Sequence, residues 1–203
     1  MAIYYIDKDH PSASDSNAGS SQSAPWLTFN NVKNAGSPVV AGDTVQVKKA
    51  ATPYDLGDSS NFEVPAVRPF NSGTIGNPIT LTKNGDERPI VFVSTGIQAA
   101  IGAADQSDII WEHFEINMPE GTLIEKGFQM DDATRCQAKY IKVNGNTVDT
   151  IGNHDAFRIG TGTIAHGTVD CLVQDCEAYN VRRGAAGFNA NSAAFKIYAP
   201  TRL

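Results

Sequence analysis

The sequence is poor in cysteine, in basic charge and in long apolar runs. Of 203 residues only three are cysteine: Cys136, Cys171 and Cys176. An odd count provides no disulfide framework, and no fourth ligand at suitable spacing completes a zinc site. The three are expected to be reduced, behaving as small buried hydrophobes. Lys and Arg number 16 against 22 Asp and Glu, a formal net charge of −6. A nucleic-acid partner calls for clustered basic residues, so none is expected. No window approaches the roughly 20 apolar residues of a membrane helix, so no membrane partner is expected either. The apolar run Ile3-Tyr4-Tyr5-Ile6 ends at Asp7. It is too short for a secretory signal core, and no signal peptide is expected. His113, His154 and His166 show no metal spacing.

What is present is a composition able to bury a core, 41% hydrophobic and 19% charged. Short β-rich runs dominate. Ile3 to Ile6 is one. Val45 and Val47 share one side of another. Ile79-Thr80-Leu81-Thr82 and Ile90-Val91-Phe92-Val93 each follow a proline, which is tolerated at a strand's first position. Residues 9–25 are turn-rich. Trp26, Phe29 and Val32 share a face at helical spacing, predicting a short helix over 25–32. Residues 50–75 read as a long irregular loop.

From residue 97 the text repeats. The runs 108–116, 139–146 and 170–177 are alike, and Ile110, Ile141 and Leu172 recur at a step of 31 residues. Between them lies a second motif, small–Phe–polar–aliphatic. It appears as Gly127-Phe128-Gln129-Met130, Ala156-Phe157-Arg158-Ile159 and Ala194-Phe195-Lys196-Ile197, the last two preceded by Asn153 and Asn191. Two strand motifs alternating at a repeat near thirty residues point to a solenoid. The rival, a β-sandwich, predicts hairpin turns at short intervals instead.

Several pieces also resemble a known family. They are Tyr4-Tyr5-Ile6-Asp7, Ser14-Asp15-Ser16-Asn17-Ala18-Gly19, Ala24-Pro25-Trp26-Leu27-Thr28-Phe29 and Ala41-Gly42-Asp43-Thr44-Val45-Gln46-Val47. Ser72-Gly73-Thr74-Ile75-Gly76-Asn77-Pro78-Ile79-Thr80-Leu81 continues the series. Their order and spacing resemble the N-terminal cap and first coil of pectate-lyase-like right-handed parallel β-helices. Polysaccharide lyase families nine and six are nearest, along with phage β-helix virion proteins. The resemblance implies an all-β, right-handed parallel β-helix with an N-terminal cap and a short helix. One domain is expected over 1–203: cap and first coil in 1–50, loop and early coils in 51–96, repeating coils in 97–203. It also implies action on acidic polysaccharide where the catalytic coils are present. Such lyases take the C5 proton of a uronic acid with a Lys or Arg base and neutralise the carboxylate with Ca²⁺ held by Asp. The run Asn191-Ser192-Ala193-Ala194-Phe195-Lys196 partly resembles Asn-Ala-Asp-Gly-Phe-Ala-x-Lys of family nine, without its Asp.

Alternation along a strand directs Phe157 and Ile159 to one side and Arg158 to the other. The same holds for Phe195, Lys196 and Ile197. Stacked strands lie about 4.8 Å apart, so Gln129, Arg158 and Lys196 would form an outer-face ladder. It is either a carboxylate-binding ladder or a row of solvated polar positions. Trp111 and Tyr140 could stack on sugars or pack at the rim. Asp131, Asp132 and Asp155 are too scattered to secure the six to eight oxygens Ca²⁺ requires; turn roles are favoured. The preferred function is a non-catalytic structural or adhesive module on a phage particle or cell surface. Its expected partners are protein subunits of a larger assembly and, secondarily, acidic polysaccharide, with no cofactor. The alternative is the N-terminal part of a polysaccharide lyase, with Lys196 and Arg158 as catalytic candidates and Ca²⁺ as cofactor.

Overall fold

The structure, a computed structural model, describes residues 1–59, 64–96, 99–118, 126–145, 155–160, 167–181 and 193–197. The chain opens with strand β1 (Ile3–Ile6), a one-turn helix α1 (Asn30–Lys33) and β2 (Thr44–Lys48). Then come β3 (Tyr54–Asp55), β4 (Asp58–Ser59), β5 (Ile79–Asn84), β6 (Ile90–Phe92), β7 (Thr95–Gly96) and β8 (Ala99–Ala104). Three further passes follow. They are β9 (Ile109–Glu112), β10 (Glu115–Asn117) and β11 (Lys126–Asp131); β12 (Gln137–Lys139), β13 (Lys142–Asn144) and β14 (Asp155–Ile159); and β15 (Leu172–Gln174), β16 (Glu177–Tyr179) and β17 (Ala193–Ile197).

These strands build an all-β structure of parallel sheets. Sheet I runs β1-β2-β5-β9-β12-β15, sheet II β3-β6-β10-β13-β16 and sheet III β8-β11-β14-β17, with β4 and β7 forming a small fourth pair. Strand order follows chain order within each sheet. Each of the last three passes therefore adds one strand to each of sheets I, II and III. Parallel strands need a long crossover, and here the other two sheets supply it.

The corners explain why few glycines are needed. His113, Tyr140 and Asp175 immediately follow β9, β12 and β15, with φ of 64°, 55° and 51°. Asp108, Arg135 and Asp170 precede the same strands with φ of 56°, 54° and 55°. Asp, Asn and His enter the left-handed region comparatively readily, whereas Tyr and Arg seldom do. One left-handed residue turns the chain from sheet I toward sheet II on each pass.

Inward side chains stack in columns. Leu81, Trp111, Ala138 and Val173 are paired in register; so are Ile116, Val143 and Ala178. Leu81, Trp111, Ala138, Ile116 and Val143 are fully buried. Burying each large side chain contributes about 1.5–3 kcal/mol. Phe128, Phe157 and Phe195 form the expected column in sheet III, with ring centroids 6.1 and 4.6 Å apart. At the last pass, Phe195 is 44% and Ile197 72% exposed.

Three expectations need correction. Ile110 pairs with Gln137, and Gln137 with Leu172, so Ile141 does not belong to that column. Backbone bonds from Lys142 to Phe114 and from Glu177 to Ile141 align Phe114, Ile141 and Cys176 at the corner. The constant step of 31 matched apolar letters rather than spatial equivalents. The helix starts only at Asn30, because Trp26 is bridged in parallel to Ile6. The stretch 50–75 contains β3, whose Tyr54 pairs with Val91. The cysteines are free, Cys136 buried and the other two half-buried.

Candidate functional site

Sheet III carries the largest cluster of buried charge among the described residues. Phe128 and Met130 belong to the core, so alternation sends Gln129 and Asp131 to the other face. Register then aligns Gly102, Gln129, Arg158 and Lys196 in one column. Gly102 is required there, because a Cβ would lie 1.9 Å from the Gln129 carbonyl oxygen. Gln129 is consequently the first side chain of the ladder.

The alternation breaks one residue earlier. A Cβ on Gly127 would meet Val143 Cγ1 at 2.5 Å, so Gly127 faces the core, as Phe128 does. Ala156 and Phe157 repeat the break on the next strand. This sends Lys126 and its register partner Asp155 to the outer face, beside the ladder. Lys196 Nζ accordingly lies 3.5 Å from Asp155 Oδ2. Gln129 Nε2 donates to Asp131 Oδ2.

The cluster is buried although it faces outward. Gln129 is 0% exposed, and Lys126, Asp131 and Asp155 are buried as well. The side chain of Lys196 is 21% exposed and Arg158 is half-buried. Removing water raises the free energy of an ionised carboxylate. Burial pushes Asp131 up to about 6, against the Gln129 hydrogen bond and the nearby charges of Arg158 and Lys126. Burial likewise raises Asp155, opposed chiefly by Lys196. Gln129 Oε1, Asp131 Oδ1 and Asp155 Oδ1 have no hydrogen-bond partner among the described residues.

The sequence-predicted residues divide accordingly. Gln129, Arg158 and Lys196 come together in the expected register, but Gln129 is sealed from solvent and Lys196 is ion-paired rather than on an open face. Trp111 is a core residue: it is fully buried, its Nε1 donates to the Gly102 carbonyl at 3.0 Å, and its ring packs edge-on against Phe114. It therefore offers no face to a sugar. Tyr140 sits at the corner after β12, its ring stacked on His113 at 4.7 Å, and its carbonyl accepts from Arg88. Asp132 occupies the turn after β11 with φ 48° and pushes Asp131 further up. Among the described residues no three His, Cys, Asp or Glu side chains converge as metal ligands. Lys126 was missed because strict period-two reading assigns it inward with Phe128. Asn153, Asn191, His154 and His166 lie outside the described residues.

No protein-family model and no curated protein matches this chain. Solved structures do. A rhamnogalacturonan lyase superposes with a TM-score of 0.57 at 17% identity, over 100% of this chain and 59% of its own. A GH136 lacto-N-biosidase from Eubacterium ramulus gives 0.57 at 13% identity, over 87% of this chain and 34% of its own. The chain thus spans 59% and 34% of the lengths of these two proteins. The likeness is one of fold: an all-β, parallel-sheet architecture found in carbohydrate-processing enzymes.

Proposed function

We propose that the stacked passes form a right-handed parallel β-helix module that grips acidic polysaccharide along sheet III, as an adhesive rather than a catalytic element. The observation that carries this reading is the in-register column of Gln129, Arg158 and Lys196. Its two cations are the more accessible members of the cluster, and charge-assisted hydrogen bonds to carboxylate are the strong ones. The two solved structures support a saccharide ligand, since both are carbohydrate-processing enzymes. Such polymers lie outside cells, so the working location in this reading is the surface of a cell or phage particle.

The cluster also makes binding pH-dependent. Below about 6, Asp131 takes up a proton and the cations lose a competing negative charge. Uronate carboxyls stay ionised at pH 5, so affinity should rise as pH falls from 7.5 to 5, by about three- to tenfold. Isothermal titration calorimetry with oligogalacturonate, alginate and chondroitin oligosaccharides tests this. Arg158→Gln and Lys196→Gln should each weaken binding about tenfold. Failure of the wild type to bind any of the three, or binding by both variants as tight as that of the wild type, would contradict the reading.

One observation favours a second reading, β-elimination on the same polymers. Asp131, with a pKa of about 6, is tuned toward the range useful for general acid–base work. In that reaction the C5 proton moves to the base and the C5–H electron pair forms the C4=C5 double bond. The C4–O bond breaks with its pair going to the glycosidic oxygen, which takes a proton from water. Ultraviolet absorbance of unsaturated uronides separates the readings. Product formation that disappears in Asp131→Asn would establish catalysis in place of adhesion.

A further inference from the structure

The N-terminal cap contains a cavity of about 400 Å³, within the range of ligand sites. Tyr4, Trp26 and Pro38 line its apolar side; Asn17, Ser20 and Asn31 line its polar side. The site is built rather than incidental. Trp26 donates its backbone N–H to Tyr5 at 2.8 Å, and its carbonyl accepts from Asp7 at 3.1 Å, which pins it beside β1. Its indole N–H donates to the Asn17 carbonyl at 2.9 Å. Gly19, with φ 71°, lies so close under the indole that a Cβ would stand 2.3 Å from it. The Tyr4 ring stacks on Trp26 at 4.8 Å and 13°, and its hydroxyl donates to the Pro38 carbonyl.

The polar side keeps hydrogen-bonding capacity. Asn17 gives both amide N–H groups to the carbonyls of Ser12 and Pro25, leaving its side-chain oxygen to accept. Asn31 donates one N–H to the Asp15 carbonyl, leaving a second N–H and its oxygen. Ser20 is exposed. No charged side chain lines the cavity. Trp26 itself is buried, so the half-buried Tyr4 ring that it backs is the aromatic wall. Beside uncharged donors and acceptors, that wall suits a ring with one apolar C–H face and hydroxyls at its edge.

We infer that this cavity binds a neutral pyranose unit of a polysaccharide. The site is separate from sheet III and opposite to it in charge preference. The proposal does not depend on acidic-polymer binding there. Together the two sites would suit a polymer containing both neutral and acidic sugars.

The test follows the two indole N–H signals by NMR during titration with galactotetraose, mannotetraose and cellotetraose, with tetragalacturonate as the charged probe. At least one neutral tetrasaccharide should shift the Trp26 signal saturably at micromolar to millimolar concentration, while Trp111 stays still. Ala18→Trp, which fills the cavity from an exposed lining position, should weaken that binding at least about tenfold and leave tetragalacturonate binding at sheet III unchanged. Ser20→Trp gives the same readout should Ala18→Trp fold poorly. Three results would each overturn the inference: no neutral tetrasaccharide shifts Trp26, the shift survives both blocking variants, or tetragalacturonate occupies the cavity as tightly. Loss of acidic binding at sheet III with the Trp26 shift intact would contradict only the proposed function.

Discussion

Sheets II and III both carry rows of charge on their outer faces, yet the two rows differ in kind. On sheet II, Glu115, Lys142 and Glu177 are in register, and Lys142 meets Glu177 at 2.7 Å. Those two side chains are 37% and 55% exposed, so water screens the pair and its net worth is small. On sheet III, Asp155 and Lys196 meet at the longer distance of 3.5 Å, with Asp155 3% exposed. Short distance alone therefore does not identify the energetically important pair. Solvent removal does, because it raises the cost of every unpartnered charge and moves Asp131 into the range where protons exchange near neutral pH. Sheet II carries a solubilising row. Sheet III carries the candidate site.

The comparison is sharpest in Lys196→Ala, for which the largest effect on stability is expected. It leaves Asp155 buried with one cation fewer, and denaturant unfolding at pH 7.5 should show a loss of about 1–3 kcal/mol. At pH 4 the loss should shrink, since Asp155, already raised by burial, can protonate instead. An equal loss at both pH values would remove the distinction between the sheets.

Asp131→Asn comes next, and its sign is opposite. The folded pKa of Asp131 is raised to about 6, above the unfolded value of about 3.9. Its favourable contribution is therefore fully present below about pH 4 and lost as pH rises through about 6. The neutral amide keeps an acceptor for Gln129 and avoids the buried charge. The variant should be more stable than wild type by on the order of 1–2 kcal/mol at pH 7.5 and no more stable at pH 4. Lys142→Ala on sheet II is the smallest: a change within about 0.5 kcal/mol, fading with added salt. A loss there matching that of Lys196→Ala would break the comparison from the other side.

The sequence made the sheet III register legible because the motif around Phe128, Phe157 and Phe195 keeps its bulky residue in one stacked column on every pass. That was sufficient to align Gln129, Arg158 and Lys196. Sheet I was harder to read. Trp111, Ala138 and Val173 share a column but not a size, so matching by letter selected Ile110, Ile141 and Leu172 instead. Corners formed by Tyr140 and Arg135 in the left-handed region give no turn signal, since neither residue is typical there. The break in alternation at Gly127 moved Lys126 and Asp155 to the outer face, and period-two reasoning contains no cue for it. Burial of an outer face is likewise invisible to alternation, which reports direction and not solvent. Trp111 shows the same limit: taking Ile110 as the column residue put Trp111 on the opposite face, and neither its burial nor its bond to Gly102 was legible.

The most direct test of the account is the carboxyl ¹³C titration of Asp131 by NMR, in the wild-type chain and in Arg158→Gln. A wild-type midpoint near 6, moving upward when the guanidinium is removed, is the predicted result. A midpoint at the ordinary value of about 3.9, unchanged by Arg158→Gln, would mean that the sheet III cluster is as wet as sheet II, and would contradict the account at its centre.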